Sequence, residues 1–192
     1  FAGRTVSRNR DWKNTLTLMV NDIKHLEKSS QANNMYAMNL MAETNINKTL
    51  TQQEVLEMRK LAIVHFEKAV EIYPDYYNVY IDMARAALMT GDYQAGVNAA
   101  EKAIKIDPEN QYSYYFSLSL LEKTGDYETY LKHAKKLFEL SENEETYGGL
   151  SRGYFLLKDY QKSKDVLLEG LEKYPNNEGL KHNIKFVEEM IK

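Results

Sequence analysis

The chain has 192 residues, 43% hydrophobic and 28% charged, with a net charge of −3 and a pI near 5.9. That balance sustains a packed interior under a mixed-sign surface, and it lacks the basic footprint that nucleic-acid binding requires. There is no cysteine, which excludes disulfides, thiolate metal sites and a cysteine nucleophile.

No apolar run approaches the roughly 18–20 residues of a membrane-spanning helix. The sequence opens on Phe1 rather than Met and shows no signal peptide, so it is read as an expressed or processed piece of something longer. Residues 1–30 are expected to form an N-terminal arm and a first helix. Trp12, Leu16, Met19, Val20 and Ile23 share one face of that helix, and Asn9 or Asp11 is placed to cap it. A second helix over roughly 31–43 leads into an insertion near 44–50, which contains the sequon Asn47-Lys48-Thr49. Thr51-x-x-Glu54 is a capping box that starts the next helix, with Ala62, Phe66 and Ala69 on its apolar side and Pro74 beyond its end. Residues 31–76 thus read as one degenerate helix pair.

From here the chain keeps a clock. Tyr93, Tyr127 and Tyr160 are 34 and then 33 residues apart, and Pro74 precedes Pro108 by 34. All three prolines, Pro175 included, sit at one phase of the period, where a helix must stop. Within a period, Tyr80, Met83, Ala84, Ala87 and Leu88 form one helical stripe, and Tyr93, Val97, Ala100 and Ile104 form a second. Between them Gly91 suits a left-handed helix end and Asp92 the next N-cap. Gly125-Asp126 and Lys158-Asp159 repeat that turn. Each period is therefore an αα-hairpin, expected over 77–110, 111–143 and 144–176. A last helix over 177–192 carries Leu180, Ile184, Val187 and Ile191 in phase and is expected to cap the array with a polar outer face.

These residues resemble the tetratricopeptide repeat (TPR) family. Its large fourth position falls on Tyr80, Tyr114 and Tyr147, and its small eighth position on Ala84, Leu118 and Ser151. Its terminal proline falls on Pro108 and Pro175. The middle repeat departs from the pattern, with Ser117-Leu118 inverting the large-small order. The resemblance implies an all-α, right-handed α-solenoid of about ten helices, whose first helix in each hairpin lines a concave face. It places Asn78, Ile81, Asp82, Arg85 and Met89 there from one repeat, then Tyr112, Tyr115, Phe116 and Ser119, then Glu145, Gly148, Arg152 and Phe155. The Lys and Asn with which some family members clamp a chaperone's terminal carboxylate are absent, since Ile81 and Arg85, or Tyr115 and Ser119, occupy those phases.

A shorter stretch, Arg4-Thr5, Arg8-Asn9 and Asp11-Trp12, resembles the segment after the last membrane span in multispanning glycosyltransferase-like proteins with C-terminal TPRs. That resemblance implies an extracytoplasmic, periplasmic or luminal, domain; without it a cytoplasmic one is expected.

Nothing in the sequence carries catalysis. None of His25, His65, His133 and His182 is paired with another at metal-ligand spacing, and the carboxylate clusters read as solvated charge. Phosphate-binding glycine loops and a nucleophile elbow are absent, and the helical serines, Ser117 among them, show no histidine partner at sequence level. His65 and His133 share a repeat phase beside the core and read as half-buried structural residues. No cofactor is expected. The expected function is a protein-interaction scaffold that binds a protein or peptide through Asn78, Ile81, Arg85, Tyr112, Tyr115, Phe116, Ser119 and Arg152, the two arginines being available for acidic groups. The alternative is a non-catalytic, acceptor-recruiting domain of a membrane glycosyltransferase-like protein. Self-assembly through open solenoid ends is a third possibility.

Overall fold

A computed structural model describes residues 15–192. The segment Arg4–Trp12 and the caps Asn9 and Asp11 lie outside the described residues. The described residues form ten α-helices and no strand: α1 Thr15–Asp22, α2 Ser30–Ile46, α3 Gln52–Ile72, α4 Tyr77–Thr90, α5 Tyr93–Ile106, α6 Gln111–Thr124, α7 Tyr127–Leu140, α8 Glu144–Leu156, α9 Tyr160–Lys173 and α10 Glu178–Ile191. A single 3₁₀ turn, Ile23–His25, follows α1. None of these helices is long and apolar enough to cross a membrane. The chain forms two compact units, Phe1–Asp92 and Tyr93–Lys192. Their boundary falls inside the repeat expected over 77–110, between its two helices.

In the first unit α2 packs along α3, and α3 packs on α4. The core is Tyr36, Ala37 and Leu40 of α2, Ala62, Phe66 and Ala69 of α3, and Val79 and Ala86 of α4. The capping box forms as read: the Glu54 N–H donates to Thr51 Oγ1 at 3.2 Å, and the Thr51 N–H donates to Glu54 Oε2 at 2.8 Å. The insertion is shorter than expected, because α2 continues to Ile46 and only Asn47–Thr51 connects it to α3. Local hydrogen bonds explain this end. Thr44 Oγ1 donates back to the Met41 carbonyl, and Asn47 Oδ1 accepts from both the N–H and the hydroxyl of Thr49. The sequon is thus a tight Asx turn, its amide also donating to Glu43 at 2.8 Å.

In the second unit each helix from α5 to α10 packs on the next in chain order. Gly91 and Gly125 end their helices at φ 82° and 81°, as their turn requires. Lys158 takes the same left-handed conformation at φ 63°, without a glycine's freedom. Asp126 and Asp159 cap the following helices by accepting from the N–H groups of Thr129 and Lys162. Tyr147 is fully buried, edge-on to Phe138 at 4.8 Å, and its hydroxyl donates toward Glu142 at 2.6 Å. Its ring lies against Gly170, where a Cβ would come within 2.8 Å of it.

Two expectations need correction. His65 and His133 are buried, not half-buried, at 8% and 3% exposure. Each stands edge-on to the tyrosine of the preceding helix, Tyr36 and Tyr114, at 4.7 and 5.5 Å. The aromatic pair is itself repeated, which lets an imidazole be enclosed at that phase. The outer face of α10 is also less polar than expected. Leu180, Ile184 and Val187 pack inward, while Phe186, Met190 and Ile191, the last expected on the inward stripe, are exposed.

Candidate functional site

The first helix of each hairpin in the second unit is held at its start by a side-chain cap. Asn110 Oδ1 accepts from the Tyr112 N–H at the start of α6. Asn143 Oδ1 accepts from the N–H groups of Glu145 and Thr146 at the start of α8, while its own N–H donates to Thr146 Oγ1. These caps fix the phase in which α6 and α8 present side chains.

Tyr115, Ser119 and Glu122 stand on one stripe of α6, at i, i+4 and i+7. Glu145, Gly148 and Arg152 stand on one stripe of α8, at i, i+3 and i+7. The two stripes border a cleft of about 360 Å³. Its floor is the buried row Tyr130, Ala134 and Leu137 of α7, and the exposed Asn183 of α10 also lines it. The cleft exists partly because α8 carries no side chain at its middle: a Cβ on Gly148 would meet nothing within 4 Å. The corresponding phases of the other repeats carry Ile81 and Tyr115. A second depression of about 510 Å³ adjoins the first through Tyr115 and is bordered by Asp107, Glu109 and Tyr112.

Burial raises the Tyr115 phenol above its ordinary 10.0, with Glu145 pushing the same way and a hydrogen bond to Asn143 opposing. Burial pushes Tyr130 up to about 12, helped by the Glu122 carboxylate. Both phenols are therefore neutral hydroxyls at physiological pH. Arg152 donates to Glu122 Oε1 at 2.6 Å and lies over the Phe155 ring at 5.6 Å. Arg85, on α4 in the first unit, pairs with Asp82, whose carboxyl is raised by burial against the pull of that guanidinium. The expectation of arginines available for acidic groups is thus revised: both already have an internal carboxylate partner.

Of the residues expected from sequence, Tyr115, Ser119 and Arg152 border one cleft and Tyr112 borders its neighbour. Phe116 is half-buried on α6 and borders neither. Asn78, Ile81 and Arg85 belong to the first unit, where Asn78 is exposed and Ile81 half-buried. Sequence reasoning missed Glu122, Tyr130 and Asn183. Glu122 was within reach, since it lies seven residues after Tyr115 on the same helical face. Tyr130 and Asn183 join the site only through packing between helices.

One constellation imitates a catalytic triad. Ser117 Oγ lies 2.7 Å from His133 Nδ1, and His133 Nε2 lies 3.2 Å from Glu101 Oε1. The serine expected to lack a histidine partner therefore has one. Ser117 is fully buried, however, so its oxygen faces no space a substrate could enter. The small Ser117 makes room for the imidazole, which accounts for the inverted Ser117-Leu118 order. The arrangement ties α6, α7 and α5 together. Among the described residues no group of three or more His, Asp or Glu is placed to hold a metal ion.

Residues 59–118 match the tetratricopeptide repeat family. No curated protein matches the sequence. The MamA protein has a similar crystal structure, with a TM-score of 0.69 and 14% identity, over 89% of this chain and 87% of that one. YrrB, a TPR protein described as having an unusual peptide-binding site, follows at TM-score 0.66 and 16% identity, over 88% and 81%. A thermophilic TPR protein of Thermus thermophilus gives 0.54 and 14%, over 90% and 88%. At these identities the likeness is one of fold.

Proposed function

We propose that this chain, built of tetratricopeptide repeats, is a protein-interaction scaffold whose cleft between α6 and α8 holds an extended peptide segment of a partner. The TPR fold supports the scaffold role. The observation that carries the finer reading is the gap at Gly148, which faces Tyr115 across the buried floor of Tyr130, Ala134 and Leu137. A concave site with an apolar floor and a few placed polar groups is what a segment needs in order to lose water and keep its backbone hydrogen-bonded. Tyr115 supplies rigid contact area at low entropic cost. The Ser119 hydroxyl, which donates to the Tyr115 carbonyl at 3.1 Å, keeps acceptor capacity toward the cleft. Tyr112 and Phe116 extend this surface along α6, and Asn78, Ile81 and Arg85 form a separate contact row in the first unit.

The test is a peptide array probed with the wild-type chain and with Gly148→Leu and Tyr115→Ala. A leucine at 148 enters open space, so the helix should form normally while the cleft is filled. The expected result is a set of peptides retained by the wild type and lost by both variants. Identical retention by Gly148→Leu, with unchanged helical circular dichroism, would reject the cleft as the binding site.

A further inference from the structure

The charges around the cleft are unbalanced. The two adjoining depressions are bordered by four carboxylates, Asp107, Glu109, Glu122 and Glu145, and by a single cationic side chain, Arg152. Arg152 and Glu122 pair at 2.6 Å and offset each other, so the net charge of the rims rests on Asp107, Glu109 and Glu145. Glu109 meets Lys136 only at 3.4 Å on an exposed surface, an ion pair worth little against solvent. Asp107 accepts from the Asn110 amide at 3.2 Å, which leaves its charge uncompensated. Glu145 is exposed at the mouth of the cleft and acts on the Tyr115 hydroxyl. An anionic segment entering here would meet the like charge of Glu145 at the cleft and of Asp107 and Glu109 in the adjoining depression. A cationic one would meet the Glu145 carboxylate beside the rings of Tyr115 and Tyr130, and aromatic faces attract cations. The open volume over Gly148 leaves room for a long side chain.

We propose that this cleft selects a partner segment by positive charge: an extended peptide that places a lysine or arginine over Gly148, between Tyr115 and the Glu145 carboxylate. This rests on the peptide-cleft reading above. The chain's net charge of −3 favours encounter with such a partner, and salt weakens it.

The experiment uses four fluorescein-labelled nonapeptides with one Ala/Leu/Tyr background, differing only in a central Lys, Arg, Gln or Glu, and reads affinity by anisotropy at low and high salt. The Lys and Arg peptides should bind about tenfold more tightly than the Glu peptide at low salt, with the gap narrowing as salt rises. Glu145→Gln should remove most of the preference for Lys and Arg. Glu67→Gln, at an exposed carboxylate of the first unit, should change nothing. If the Gln peptide binds as well as Lys and Gly148→Leu abolishes both, the charge proposal falls while the cleft stands. Equal effects of Glu145→Gln and Glu67→Gln also overturn it, because diffuse charge would then suffice. If Gly148→Leu alters no affinity, or no peptide binds at millimolar concentration, both readings fall.

Discussion

Lys158 holds a conformation its side chain resists. At φ 63° it closes the turn that Gly91 and Gly125 close elsewhere, and a left-handed residue with a Cβ costs roughly 1–2 kcal/mol. Lys158→Gly should therefore stabilise the second unit by about 1 kcal/mol, less any entropy the glycine returns to the unfolded chain. The urea midpoint of that unit should rise; a fall would show that the lysine has a compensating role. Gly170 is the opposite case. Its missing Cβ is what lets the Tyr147 ring lie against α9, at a distance no added carbon can share. Gly170→Ala should cost about 2 kcal/mol through overpacking, despite alanine's better helix propensity. Tyr147→Phe keeps the ring and loses only the hydroxyl, so it should cost clearly less.

Helix ends set the architecture of the elements between them. Thr51 and Glu54 satisfy each other's backbone N–H groups at the start of α3, the longest helix among the described residues, with 21 residues. Thr51→Ala should cost about 1 kcal/mol, read as an earlier loss of helicity in the first unit. An unchanged transition would mean that packing against α2 and α4 alone fixes that end. The middle of α8 shows a different compromise. Mid-helix glycine costs about 1 kcal/mol relative to alanine, so Gly148→Ala should stabilise α8 by about that amount. The same methyl group would narrow the cleft. A gain in urea midpoint together with weaker peptide binding would show that the helix gives up stability to keep the space open.

Across the whole molecule, each unit encloses one imidazole. His65 lies 2.7 Å from Asn33 Oδ1 in the first unit, and His133 lies 2.7 Å from Ser117 Oγ in the second. Burial lowers both below the ordinary 6.5; Lys68 adds to this at His65, while Glu101 opposes it at His133. The folded state therefore favours the neutral ring, and the unfolded chain takes up the proton first. Stability from this source is fully present above about pH 6.5 and is lost as pH falls below it. Urea midpoints should drop between pH 7 and pH 5 in both units. His133→Asn should flatten the profile of the second unit and leave that of the first. An unaltered slope would assign the acid sensitivity to other groups.

The sequence by itself determined the helices, their turns and part of each buried stripe: Ala84 and Ala87 are buried as read, whereas Tyr80, Met83 and Leu88 are half-buried and Val79 and Ala86 take the core instead. The signals for these are local: a 3.6-residue period, prolines at one phase, and the reciprocal bonds of Thr51 and Glu54 three residues apart. It also indicated that Tyr115, Ser119 and Arg152 occupy repeat phases of one kind. It did not reveal that Arg152 is occupied by Glu122, 30 residues away, or that Ser117 meets His133 across two helices. Nor did it disclose that Phe186, Met190 and Ile191 of α10 stand exposed among its charged residues. Only the tertiary structure decided these, because a period defines the face a residue stands on, whereas a cleft and its charge depend on which faces of different helices are brought together.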